Sequence, residues 1–152
     1  MRAVILDNLR SAHNTGSVIR TVSALNYDSI ALCGVTATPD KNKLGKTSRG
    51  LDSEVNWIYF ESTEQALSHF KENNYKVYAL EYTKRSTNFT EFQPEKNIAW
   101  IIGNEALGVS PKVLEKCDEV FHLPMLNKKA SINVSCAFSA IAYTDFFKQT
   151  HV

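Results

Sequence analysis

Apolar and polar positions change places along this chain in two rhythms, and the changes of rhythm mark out its elements. Residues 2–6 are nearly all apolar and consecutive, which predicts a strand buried on both faces. From about residue 15 to residue 25, Val18, Val22 and Leu25 recur at helical spacing and predict an amphipathic helix. Ser29–Cys33 and Val55–Phe60 are two further strand-like runs. Ser62 with Gln65 has the spacing of a capping box, and Ala66, Leu67 and Phe70 supply the apolar stripe of the helix it opens. Val77–Leu80 and Ile98–Ile102 predict strands again. Ser110-Pro111 is a helix start, a cap residue followed by proline at the first helical position. After a short strand at Val120–Leu123, Ser131 is a natural N-cap for a last helix to about Lys148, with Val134, Ala137, Phe138, Ile141 and Ala142 at helical spacing. About six strands alternating with helices predict an α/β fold, a mostly parallel sheet flanked by helices on both faces. Residues 82–97 are the one long polar connection, and without a repeat or a linker, residues 1–152 read as a single domain.

Composition narrows the class without naming a function. Of the 152 residues, 43% are apolar and 22% charged, as in soluble globular chains. No apolar run approaches the roughly 20 residues of a membrane span, and the N-terminal apolar run is too short for a signal peptide. The expected location is therefore the cytoplasm. Cys33, Cys117 and Cys136 are odd in number and lack CxxC spacing, which argues against a disulfide scaffold or a zinc site. His13, His69, His122 and His151 are scattered, so no metal is expected. A net charge of +1 is no global signature of nucleic-acid binding. One local basic patch, Lys41, Lys43, Lys46 and Arg49, is opposed only by Asp40 and is the candidate RNA contact; a solvated basic loop is the other reading.

Three polar, glycine-bearing segments fall at or near strand ends, where open α/β sheets bind ligands. The first, Asn8–Thr21, enters a helix with a small, polar first turn whose backbone N–H groups suit an anion such as phosphate. Arg20 lies off the apolar stripe, on the face shared with Gly16, Ser17, Ser23 and Ala24. A capped helix with an exposed arginine is the alternative. The second, Ile101–Ser110, ends a buried strand in Gly103, where a ligand can approach the backbone, and carries Glu105 and Gly108 just beyond. A tight connection is the alternative there, and the absence of GxGxxG disfavours a dinucleotide site. The third, Leu123–Ser135, stops a strand at Pro124 and opens a helix with Ser131, Asn133 and Ser135, where Asn133 and Ser135 exceed what capping needs.

At these segments the sequence resembles the SpoU/TrmH branch of the SPOUT methyltransferases. Asn14-x-Gly16-x-x-x-Arg20-Thr21, Ile102-Gly103-Asn104-Glu105-x-x-Gly108, and Leu123-Pro124-Met125 followed by Ser131-Ile132-Asn133-Val134-Ser135 are similar to that family's three motifs, in order. One departure is Asn127, where many members carry glycine, and it should alter the loop rather than remove a functional group. The resemblance implies a C-terminal trefoil knot, a departure from the rule that chains do not thread loops. It implies a bent S-adenosyl-L-methionine in the knot, with Leu80, Gly103, Leu123, Met125 and Ser131 lining its pocket and Ile132 beside the adenine. It implies a reacting site of Asn14, Arg20, Glu105, Ser131 and Asn133, and an activity, methyl transfer to a ribose 2'-hydroxyl of RNA, with tRNA favoured over rRNA. Arg20 would reach the partner subunit's pocket, so a homodimer is implied. A base-methylating SPOUT enzyme and an RNA-binding domain without turnover are the alternatives.

Overall fold

Strand β1 (Arg2–Asp7) is buried at every position, because it is flanked by strands on both edges and by helices on both faces. Strand β2 (Ser29–Cys33) pairs with it on one side and β6 (Ile98–Ile102) on the other, with Ile5 opposite Ala31 and Ile101. The computed structural model describes residues 1–40, 44, 50, 54–127 and 130–150. Among these, β3 (Trp57–Phe60), β4 (Lys76–Leu80), β5 (Thr87–Asn88) and β7 (Glu119–His122) complete one sheet in the order β3-β2-β1-β6-β4-β7-β5. Every pairing is parallel, beyond the mostly parallel sheet expected. All carboxyl ends of the strands therefore lie along one edge.

Side chains alternate across the sheet and build a core on each face. On one face Val4, Leu6, Ile30, Leu32 and Trp100 meet Val18, Ile19 and Val22 of helix α1 (Ala12–Ala24) and Phe138 and Ile141 of α4 (Val134–Thr150). On the other, Ala3, Ile5, Ala31 and Ile101 meet Ala66, Leu67 and Phe70 of α2 (Thr63–Glu72) and Val113 of α3 (Pro111–Leu114). Helix α2 carries the expected capping box, Ser62 Oγ accepting from the Gln65 N–H and the Gln65 side chain from the Ser62 N–H. Ser110 caps α3 with Pro111 behind it, although that helix runs only four residues.

Three expectations need correction. Helix α1 starts at Ala12 rather than near residue 15, because Ser11 Oγ accepts the Asn14 N–H and caps it. The polar connection 82–97 contains β5 and a 3-10 turn (Phe89–Glu91), and buries Phe89 and Phe92, whose rings stack at 5.0 Å. A two-residue strand is too short to show a period. Helix α4 begins at Val134, and its cap is Asn133 rather than Ser131: Asn133 Oδ1 accepts the N–H groups of Ser135 at 3.0 Å and Cys136 at 3.4 Å.

After β7 the chain returns across the sheet to lay α4 against α1, where Thr21 and Ser139 share a hydroxyl hydrogen bond of 2.8 Å. Two bonds from the Arg2 guanidinium to the Asp145 carboxylate, 2.5 and 3.1 Å, pin the middle of α4 to β1. Asp145 is 1% exposed. Removing either partner would strand a buried charge, a loss of about 3–5 kcal/mol.

Candidate active site

The loop between β6 and α3 is shaped by one asparagine and two glycines. Asn104 Oδ1 accepts the N–H groups of Ala106 and Leu107 at 2.9 and 3.0 Å, and its carbonyl accepts the Gly108 N–H at 2.8 Å. Its Nδ2 donates to the carbonyl of Asn8 at 2.8 Å, tying the exit of β6 to the exit of β1. Gly108 is left-handed, with φ 68°. A Cβ on Gly103 would collide with the backbone of Gly108 and Val109. This glycine is required by the loop's own fold, a need for space additional to the close ligand approach that the sequence suggested.

Glu105 projects from this loop onto the start of α1. Its Oε2 accepts the Arg10 N–H and its Oε1 the Ser11 N–H, both at 3.0 Å, and Oε1 also accepts Asn14 Nδ2 at 2.9 Å. The anion at this helix start is thus the protein's own carboxylate, where the sequence suggested a phosphate. Partial burial pushes the Glu105 carboxyl up, but the hydrogen bonds from Arg10, Asn14 and Ser11 outweigh it and hold the group below its ordinary value.

The network continues into the third segment. Asn133 Nδ2 donates to Asn14 Oδ1 at 3.1 Å. Capping duty fixes which way the Asn133 amide faces, since its oxygen must accept from α4. Its nitrogen then fixes the Asn14 amide, whose own nitrogen ends on Glu105. Asn133, Asn14 and Glu105, one from each segment, form a single hydrogen-bonded line.

Beside this line the carboxyl ends of β4, β6 and β7 surround a cleft of about 580 Å³, within the range typical of small-molecule sites. All six residues expected to hold the cofactor, Leu80, Gly103, Leu123, Met125, Ser131 and Ile132, line it. So do Glu105 and Asn133. Leu107 and Ile132, 85% and 46% exposed, present apolar surface around it. Glu81, Tyr82 and His122 also line the cleft and were not expected. The Tyr82 and His122 rings meet edge to face at 5.2 Å, and Ser86 Oγ bonds His122 Nδ1 at 3.0 Å. A lone glutamate after the apolar run Val77–Leu80 was the one available signal for Glu81. Arg20 is exposed and away from the cleft lining, and among the described residues it makes no hydrogen bond or ion pair. Lys41, Lys43, Lys46 and Arg49 lie outside the described residues.

The chain is similar to several known proteins. A relative from Staphylococcus aureus (strain COL), provisionally named a TrmH family tRNA/rRNA methyltransferase, is 28% identical over 152 residues, all of this chain and 61% of that protein. The tRNA (guanosine(18)-2'-O)-methyltransferase of Aquifex aeolicus (strain VF5) is 29% identical over 144 residues, 92% of this chain and 66% of its own. This chain thus spans about three fifths of the length of the Staphylococcus aureus relative. The crystal structure of the SpoU methyltransferase AviRb from Streptomyces viridochromogenes, in complex with AdoMet, superposes with a TM-score of 0.90 over 99% of this chain and 61% of that one, at 21% identity. That likeness is one of fold. The model of the SpoU rRNA Methylase family matches residues 1–143, spanning all three segments, and the chain belongs to this family.

Proposed function

We propose that the protein is an RNA methyltransferase that uses S-adenosyl-L-methionine to methylate a ribose 2'-hydroxyl. The observation that carries this reading is the Asn133–Asn14–Glu105 line beside the cleft, which joins all three segments into one site. The cleft suits a nucleoside-bearing cofactor. Leu80, Leu123, Met125 and Ile132 offer apolar surface for a flat base, and polar groups stand beside them at Asn104, Ser131 and Asn133. When bound, S-adenosylmethionine supplies an electrophilic methyl group carried on a sulfonium.

The protein's own part is alignment and charge. Asn14 and Asn133 have their amides fixed before any ligand arrives, which suits them to orient a ribose. Arg20 is effectively always protonated, so it serves as a phosphate ligand that also stabilises the oxygen as its proton leaves. Six residues separate Arg20 from Asn14, about 9 Å along the helix, and Arg20 stands off the cleft of its own subunit. This supports a homodimer in which Arg20 serves the partner's cleft. Tyr143, Phe146 and Phe147 on α4, 41%, 43% and 53% exposed, are apolar surface for the contact. A C-terminal trefoil knot belongs to the same reading, and the return of α4 to α1 after β7 supports it. The substrate class is RNA; the Aquifex aeolicus relative, named for tRNA, favours tRNA over rRNA.

Calorimetry with S-adenosylhomocysteine should show one site per subunit, and methyl transfer to RNA should depend on Arg20. Arg20→Ala should cut single-turnover transfer by about two orders of magnitude or more, with folding and S-adenosylhomocysteine affinity unchanged. Arg20→Lys should rescue little, because a point charge does not reproduce a planar fork on phosphate. Wild-type turnover in Arg20→Ala would overturn the role given to it. Light scattering that finds only single chains, with activity insensitive to dilution, would overturn the dimer.

A further inference from the structure

Glu81 follows the last residue of β4 and belongs to none of the three motif segments. It is half-buried in the cleft wall. Its Oε2 accepts the Val109 N–H at 2.9 Å, and its Oε1 accepts the Tyr82 N–H at 3.0 Å. The same Oε2 occupies the place that a Cβ on Gly108 would take, so the carboxylate closes over a left-handed turn that only glycine leaves open. Strands β4 and β6 are register neighbours, with Leu80 opposite Ile102. Glu81 therefore joins two segments that diverge once the sheet's own hydrogen bonds stop.

The loop that it holds has few apolar side chains of its own. Ala106 and Leu107 are exposed, and the nearest apolar anchor is Val109, 4% exposed, which packs in the core beyond the turn. Asn104 organises the start of the loop. At its far end the Asn104 carbonyl holds the Gly108 N–H and the Val109 side chain is buried, and the Glu81 bond to the Val109 N–H is the side-chain contact that fastens the turn to β4 beside the cleft.

We propose that Glu81 is a positioning residue for the cofactor cleft, clamping the Gly108 turn so that the 104–108 wall keeps the shape that receives an adenosine-bearing ligand. The proposal rests on the methyl-donor reading above. It predicts a division of labour, because Glu105 on the same loop is held independently by Arg10, Ser11 and Asn14. Losing Glu81 should harm ligand binding and spare the reacting end.

Glu81→Gln tests this with no change in size. A carboxylate accepts from two N–H groups, whereas the amide sets its own NH2 against one of them, donor facing donor. Wild type, Glu81→Gln and Glu105→Gln would be compared by calorimetry with S-adenosylhomocysteine and by hydrogen exchange at the Val109 amide. In Glu81→Gln the dissociation constant should rise at least tenfold and Val109 exchange should quicken at least tenfold, with Glu105→Gln moving neither. In methyl transfer, the KM for S-adenosylmethionine should rise by a similar factor with kcat within threefold of wild type. Binding within twofold of wild type, or weakened binding with Val109 exchange unchanged, overturns the proposal. If Glu81→Gln fails to fold, Glu81→Asp, whose shorter arm cannot reach both N–H groups, is judged by the same readouts. Wild type that binds no S-adenosylhomocysteine overturns the methyl-donor reading instead, and Val109 exchange then decides the clamp: faster exchange retains it and unchanged exchange removes it.

Discussion

Glu81 and Glu105 stand at the same edge of the sheet, beyond the neighbouring strands β4 and β6, and both accept backbone N–H groups. They serve opposite ends of one loop. Glu81 is half-buried and holds the loop to the strand beside it, at Val109. Glu105 is exposed and reaches past β1 to the residues that open α1. The first contact shapes a wall of the cleft, and the second places Asn14, and through it Asn133. A few residues of chain thus connect the cleft wall to the Asn14–Asn133 line, with separate fastenings at each end. The general lesson is that a loop with few apolar anchors takes much of its shape from carboxylates and amides.

Gly103→Val strikes both ends at once and should have the largest effect. The new side chain would collide with the backbone of Gly108 and Val109, so stability should fall by about 3 kcal/mol and S-adenosylhomocysteine binding should disappear. Thermal unfolding and calorimetry check this, and a folded variant with wild-type affinity would contradict the account of the loop.

Glu105→Ala sharpens the contrast with Glu81. Methyl transfer should fall roughly 100-fold through lost alignment, while S-adenosylhomocysteine affinity stays within about threefold, the reverse of the pattern for Glu81→Gln. Acid supplies a second check. The folded-state pKa of Glu105 is lowered, so its contribution to stability is present above the unfolded carboxyl value of about 4.3 and is lost as pH falls through the lower folded value. The gap in melting temperature between wild type and Glu105→Gln should therefore close on acidification below that range. A gap independent of pH would show that the bonds to Arg10, Ser11 and Asn14 do not stabilise the carboxylate.

Asn133→Asp should have the smallest effect on stability. An aspartate still caps α4, so the melting temperature should change by only a few degrees, whereas Asn133→Ala should lose about 1 kcal/mol of capping. The aspartate cannot donate to Asn14, so transfer should still drop about tenfold or more. Equal activity in Asn133→Asp and wild type would break the three-residue line as a functional unit.

Much of the fold was readable from pattern. The runs Ser29–Cys33 and Ile98–Ile102 match β2 and β6 to the residue, because a strand buried on both faces has no choice but to be apolar throughout. Ser62 and Ser110 cap helices as their local chemistry dictates. The cap of α4 was misread as Ser131, because Ser131 and Asn133 are both good caps and only the chain path selects between them. The residues expected from motif resemblance to hold the cofactor, Leu80, Gly103, Leu123, Met125, Ser131 and Ile132, share one cleft. The role of Gly103 was legible as a need for space but not as space for its own loop. Glu81 was marked only by its place after the apolar run Val77–Leu80, and nothing local shows that it reaches a backbone N–H 28 residues away.

The sequence alone determined which segments are strands and helices, that the sheet is parallel in the main, and which polar segments fall at strand ends. Those properties depend on neighbours a few residues apart, where periodicity and capping act. Only the tertiary structure decided that β6 lies between β1 and β4, that α4 returns to α1 through Arg2 and Asp145, and that Glu105 fills the start of α1. These outcomes join residues about 30 to 140 positions apart, and no local propensity selects such partners. They follow from burying two apolar faces together while giving most buried polar groups a partner.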